Sequence, residues 1–317
     1  MSNIQLKQLS KIGYTNNQAR SIAIEVMSKY YKHHSSEEVM TLLTAIRSHP
    51  QNFTEHDTLG KIAHCFFEKV SDENFESHDL LAEARPLKTY GAKHIDTTAK
   101  QQMNLALRLP VAVRGALMPD AHVGYGLPIG GVLAVENAVI PYGIGVDIGC
   151  RMAMTIFDAN ERAFNQYHFQ CKKALSDWTH FGMEGGLETK QQHEVLDHKL
   201  FDEIALIKKL KGKAYKQLGS SGSGNHFVEW GLIDLLADNQ LQLKAGRYIA
   251  LLSHSGSRGL GANIAQYYFQ QAMNVCKLPA QAKQLAWLNL DSELGCEYWM
   301  AMTLAGEYAK ACHDVIH

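Results

Sequence analysis

NAVIPYGIGVDIGCRMAMTIF, residues 137–157, decides how the larger part of this chain is read. Its apolar residues come in short runs cut by Gly143, Gly145 and Gly149. Runs of that length suit strands joined by tight turns better than helices. The same texture holds on both sides. Upstream lie VAVRGALM (111–118) and PIGGVLAV (128–135); downstream lie HFVEW (226–230) and GRYIALLSH (246–254), each beside a glycine-rich turn. Helical patterns occupy about 160–210 and close the chain in SELGCEYWMAMTLAGEYAKACHDVI (292–316). Strands and helices are both plentiful but do not alternate as βαβ units, so the expected fold class is α+β rather than doubly wound α/β.

Further upstream the texture is helical. Ser35 with Glu38 makes a capping box before EVMTLLTAIRS, and Thr15 with Gln18 makes another before QARSIAIEVMSKYYK. TLGKIAHCFFEKV has apolar residues at helical spacing, and Asp96 is placed to cap TTAKQQMNLALRL. The expected organisation is a helical module over 1–84 and a mixed domain over 85–317. No chemical signature marks the helical module, whose amphipathic helices read as core.

Composition excludes several classes. Hydrophobic residues make up 46 % and charged residues 20 %, a globular balance. Lys plus Arg is 31 and Asp plus Glu 32, giving a net charge of −1, so any nucleic-acid binding must rest on a local patch. The run Lys208, Lys209, Lys211, Lys213 and Lys216 is such a patch, or else a solvated helix face. No apolar run is long enough for a membrane span, and the N-terminus lacks the apolar core of a signal peptide. The six cysteines form no CxxC pair, so the expected setting is the reducing cytoplasm, where a lone thiolate can serve as a ligand.

Three glycine-flanked loops concentrate the reactive side chains. In GVDIGC, Asp147 and Cys150 are three apart, so one turn can aim a carboxylate oxygen and a thiolate sulfur at one divalent ion. In LGSSGSGNHFVEW, glycines and serines let backbone N–H groups approach an anion, ahead of Asn225 and His226; Phe227 and Glu229 share a face of the strand that follows. In HSGSRGLG, a strand is expected to end at His254 and a helix to begin near Leu260, with Arg258 free to clamp a phosphate. A fourth segment, RGALMPDAHVGYGLPIGG (114–131), is expected to be a constrained loop in which Asp120 orients an arginine or a ligand. Taken singly, each residue has a plain structural reading: buried cysteine, core histidine, turn-capping aspartate, arginine of a strand–turn–helix joint. Together they offer most of a two-metal site bridged by a thiolate, suited to phosphoryl chemistry; thiolate and imidazole favour zinc, and the carboxylate admits manganese.

MPDAHVGYGLPIGG, GVDIGC, LGSSGSGNHFVEW and HSGSRGLG, in this order, resemble the motifs of RtcB-type RNA ligases. The similarity runs from about Tyr90 to the last residue and leaves the helical module outside. The resemblance implies joining of an RNA 3′-phosphate or 2′,3′-cyclic phosphate end to a 5′-hydroxyl end, as in tRNA halves or damaged RNA. It also implies GTP, two manganese ions and a guanylylated histidine. By the same resemblance Asp147, Cys150 and His226 fall on ligands of one ion, and Cys150 and His254 on ligands of the second, so the thiolate bridges. Asn225 and Glu229 fall on positions that contact the guanine nucleotide, and Asp120 and Arg258 on positions tied to RNA phosphate handling. A further histidine ligand and the nucleophilic histidine are expected beyond the closing helix, so the chain as given is expected to be inactive. His313 and His317 are read as ordinary helix-end residues. The competing readings are a metal-dependent phosphatase or nuclease and a non-catalytic binder of RNA ends.

Overall fold

The computed structural model describes residues 6–14, 17–54, 56–63, 65–66, 75–182, 187 and 191–317. The chain divides into two compact units, Met1–Asn74 and Phe75–His317. The first is helical: α1 (Leu6–Lys11), α2 (Asn17–Tyr30), α3 (Ser36–Ser48) and α4 (Gly60–Ala63). The Ser35–Glu38 capping box forms, each side chain closing on the other's backbone N–H. The expected box at Thr15 lies outside the described residues, as does most of the chain after Ala63 in the third helical pattern. The unit's core gathers Ala23, Met27, Val39, Leu43, Ile46 and Ile62, with Tyr14 donating its hydroxyl to the Leu43 carbonyl at 2.9 Å.

The second unit holds every motif. Its elements are β1 (Glu76–Ser77), β2 (Leu87–Thr89), α5 (Thr97–Ala106), β3 (Ala112–His122), β4 (Ile129–Val135), β5 (Ala138–Val139) and α6 (Pro141–Ile144). Then come β6 (Arg151–Phe157), α7 (Glu161–Gln166), α8 (His168–Trp178), α9 (Leu200–Glu203), α10 (Ala205–Gln217), β7 (Phe227–Leu235) and β8 (Gly246–Ser255). The unit closes with α11 (Arg258–Val275), β9 (Cys276–Lys277), β10 (Leu288–Asn289) and α12 (Glu293–Ile316). The sheets are small, ordered β2-β3-β4, β6-β8-β7, β1-β9 and β10-β5, among many helices: an α+β architecture. Residues 75–84, expected with the helical module, belong here, because Glu76 and Ser77 pair with Cys276 and Lys277.

Two expectations fail locally. The strand texture expected over 137–150 is realised only in the two residues of β5, and Pro141, whose fixed φ suits a first helical position, opens the short α6 instead. Conversely, Asp120 is not in a loop. β3 continues through it to His122, with its pairing to β4 irregular between Leu117 and His122. The proline and the irregularity share that stretch, where the strand lacks a full ladder.

The main core gathers around helices α9 to α12, with Val139 of β5 and Leu196 of the helical turn Glu194–Asp197 packed among them. Buried residues recur at helical spacing along α11 (Leu260, Ile264, Tyr268, Ala272) and α12 (Tyr298, Ala301, Ala305, Tyr308, Cys312). Tyr308 is fully buried and satisfies its hydroxyl on the Ala214 carbonyl of α10 at 2.7 Å. No helix among the described residues is long and apolar enough to cross a membrane.

Candidate metal centre

The site follows from strand register. β8 runs antiparallel to both neighbours, so its C-terminal end lies beside the N-terminal starts of β6 and β7. His254, next to last in β8, is opposite Met152 on one side and Phe227 on the other. Cys150 and His226 each sit one residue ahead of their strand. Three distant segments therefore deliver a thiol and two imidazoles to one edge of one sheet.

The ligand atoms meet there. Cys150 Sγ is 2.9 Å from His254 Nε2 and 3.5 Å from His226 Nε2, and the three atoms all lie within 4.8 Å of one another. Asp147 Oδ2 is 3.0 Å from His226 Nε2. Cys150 is exposed, not the small buried hydrophobe that a free cysteine commonly is. His226 Nδ1 is 2.6 Å from the Ser221 carbonyl, to which it must donate; that bond fixes the tautomer and leaves Nε2 for a ligand role. Asp147 Oδ1 accepts from the Ser257 amide (2.9 Å) and hydroxyl (3.2 Å), which aims Oδ2 at the cluster.

Electrostatics ties the group together. Burial opposes ionisation of Asp147, but hydrogen bonds from His226 and Ser257 prevail and hold its carboxyl below the usual carboxylate range. The hydrogen bond to Asp147, followed by that to Cys150, pushes His226 up to about 10. A divalent cation would take the place of that proton among the same donors. One carboxylate oxygen, one sulfur and two Nε2 atoms make a donor set that fits zinc or manganese.

Beside the cluster lies a cavity of about 440 Å³ lined by Asp147, Lys213, Asn225, His226 and Arg258. Arg258 is buried, with Nε donating to Ser220 Oγ (3.0 Å) and Nη2 to the Gly182 carbonyl (2.7 Å). It opens α11 two residues earlier than the sequence pattern indicates, at φ +54°, a left-handed conformation that costs a non-glycine residue energy. Of the basic run, Lys213 reaches this cavity, whereas Lys211 pairs with Asp202 at 3.7 Å. Asn225 stands exposed at the rim. Glu229 is exposed two residues into β7; it and Phe227 alternate onto one face, as the spacing predicts, but His226 lies in the turn before the strand. Asp120 is exposed on β3, its Oδ1 close behind Gly130, which lines a second cavity of about 370 Å³ together with Asp147. The structure thus gathers Asp147, Cys150, His226, His254, Asn225 and Arg258, and sets Asp120 and Glu229 at its margins.

Sequence reading missed Ser221 and Ser257 as parts of the site, although both lie in stretches it singled out, whereas Lys213 was named within the basic run. His313 and His317 do stand at the end of α12, but the partners of their side chains were not legible. Both imidazoles turn in under β8: His313 is buried with Nδ1 2.6 Å from Ser253 Oγ, and His317 Nε2 is 2.7 Å from the same oxygen. The spacing of the buried face of α12 signals the inward turn of His313, not its partners.

One cysteine sulfur, two imidazoles and a neighbouring carboxylate at the end of a sheet, beside a cavity lined by Lys213 and Arg258, define a candidate metal centre. A family model described as tRNA-splicing ligase RtcB matches residues 101–205 and 170–317, and the chain belongs to the RtcB family. It is 28 % identical over 259 residues to a tRNA-splicing ligase RtcB of Thermococcus kodakarensis, covering 70 % of this chain and 54 % of that protein. It is 37 % identical over 175 residues to an RNA-splicing ligase RtcB2 of Escherichia coli, covering 54 % and 42 %. An RNA-splicing ligase RtcB homolog 1 of Entamoeba dispar is 29 % identical over 253 residues, covering 67 % and 46 %. The chain spans about half the length of the curated relatives it matches.

Proposed function

We propose that this chain carries the metal-binding and phosphate-handling part of an RNA ligase that joins a 3′-phosphate or 2′,3′-cyclic phosphate end to a 5′-hydroxyl end with GTP and manganese. Membership of the RtcB family supports the reaction class. The observation that carries the site is Cys150 Sγ within reach of two imidazoles, one from the end of β8 and one from the turn before β7. Asp147, Cys150 and His226 would hold one ion, and Cys150 with His254 the second. Such ions supply charge neutralisation for phosphate groups brought beside them.

The chain's own residues do the rest. Arg258, held by Ser220 and Gly182, presents a guanidinium to the cavity with little left to reorganise, and Lys213 adds a second positive charge. Asn225 offers an amide to a phosphate oxygen or sugar hydroxyl at the rim. Glu229 offers carboxylate oxygens that match the N–H edge of guanine. Asp120 stands behind the glycine-rich wall of the second cavity, where it orders the approach of an RNA end. His313 and His317 are engaged beneath β8, so neither is assigned the nucleophile's role.

The test is binding of a short RNA with a 3′-phosphate against the same RNA with a 3′-hydroxyl, read by fluorescence anisotropy with Mn2+ and then with chelator. A preference of roughly ten-fold or more for the phosphate, lost with the metal, is expected, since charge-assisted phosphate contacts are the stronger ones. Equal binding of the two ends refutes the reading. Hydrolysis of the terminal phosphate without GTP would favour the phosphatase reading instead.

A further inference from the structure

Four side chains behind the cluster form one directed hydrogen-bond chain. His313 Nε2 is 3.3 Å from the Ser255 carbonyl, which can only accept, so Nε2 carries a proton. A neutral His313 must then accept at Nδ1, from the Ser253 hydroxyl at 2.6 Å. That uses the serine's single proton, so His317 Nε2, 2.7 Å away, donates to Ser253 Oγ. His317 Nδ1 in turn accepts from Thr155 Oγ1 at 2.7 Å. With both imidazoles neutral, the form that burial favours for each, every donor has one acceptor.

The chain holds residues on both sides of a metal ligand. Ser253 and Ser255 bracket His254 in β8. Ser255 is fully buried, and its hydroxyl donates to the Ser221 carbonyl at 2.9 Å. That carbonyl also receives His226 Nδ1. His313 therefore reaches His254 through the strand it pins, and His226 through Ser255 and Ser221. The strand alternates, so the serines face α12 while His254 faces the other way, toward Cys150.

We propose that His313, with His317 behind it, is a positioning residue of the metal centre: it fixes the end of β8 so that the Nε2 atoms of His254 and His226 stand at coordination distance from Cys150. This rests on the metal-centre reading above. Partners that orient ligands in this way are worth roughly 10–100-fold in metal affinity when removed.

The test is calorimetric titration of the full chain with Mn2+, with thermal unfolding of the same samples. His313→Ala and Ser255→Ala are expected to weaken Mn2+ binding about ten-fold or more. His313→Gln, which keeps a donor for the Ser255 carbonyl, should recover most of the loss. Tyr308→Phe, which removes a buried hydroxyl bonded to Ala214, serves as the control: it should lower stability while leaving Mn2+ affinity unchanged. A folded His313→Ala protein with wild-type affinity overturns the proposal. So does a Tyr308→Phe protein that loses affinity as much as His313→Ala does. Ser253→Ala, one hydroxyl smaller, carries the same expectation if His313→Ala does not fold. A wild-type chain that binds no Mn2+ sinks the metal-centre reading and this inference with it, whereas binding that is insensitive to all these variants sinks the inference alone.

Discussion

Gly256→Ala separates the geometry of the cluster from its chemistry. Gly256 lies between the β8 strand and Ser257, and its φ is outside the left-handed range, so alanine is allowed by the backbone. A Cβ there would overlap both carboxylate oxygens of Asp147, and the carboxylate must swing away. It would then lose the Ser257 amide and hydroxyl and the contact with His226, at 2.9, 3.2 and 3.0 Å. A hydrogen bond to a charged group contributes about 1.5–3 kcal/mol. The Asp147 side chain is 34 % exposed, so water replaces part of what is lost. Restricting the unfolded chain returns about 0.4–1 kcal/mol. The expected net loss is about 1–2 kcal/mol in urea unfolding, with Mn2+ affinity down at least roughly ten-fold in calorimetry because one donor has left. An unchanged urea midpoint together with unchanged Mn2+ affinity would refute the placement of Asp147.

Gly212, in α10, meets nothing within 4 Å of an added Cβ, so Gly212→Ala should stabilise the protein by about 0.5–1 kcal/mol in the same urea assay. Arg258→Lys cannot keep both the Ser220 and Gly182 bonds, and should cost about 1–3 kcal/mol and weaken pyrophosphate binding in calorimetry. Burial lowers the pKa of His313 and His317 from the ordinary value near 6.5. The unfolded chain therefore takes up protons that the folded one refuses, so the stability they contribute is complete above about pH 6.5 and is lost as pH falls below it. His226, with its pKa raised, acts in the opposite sense, and the informative comparison is the drop in urea midpoint between pH 7.5 and 5.5 in wild type against a His313→Gln, His317→Gln double variant. The wild type should fall further; equal falls would contradict the neutral hydrogen-bond chain.

The sequence announced those elements whose signal is local. RMAMTIF and GRYIALLSH are short apolar runs bounded by glycine-rich turns, and they form strands at the positions expected, because run length and turn residues are properties of the segment itself. The Asp96 cap forms for the same reason, its carboxylate accepting from the Thr98 amide. Asp147, Cys150, His226 and His254 could be picked out because reactive side chains stood against a glycine-rich background. The tertiary partners could not. Ser257 holds Asp147 across 110 residues, and His313 reaches Ser253 across 60; no spacing rule links such pairs. The strand texture expected over 137–150 stops after the two residues of β5, because Pro141 opens a helical turn where the apolar run continues.

The central claim is a thiolate shared by two cations. Electron paramagnetic resonance of the chain titrated with Mn2+ tests it most directly, with Cys150→Ala alongside. The account predicts two ions per wild-type chain with exchange-coupled spectra, and loss of both coupling and tight binding in the variant. Two ions held at wild-type affinity by Cys150→Ala would contradict it.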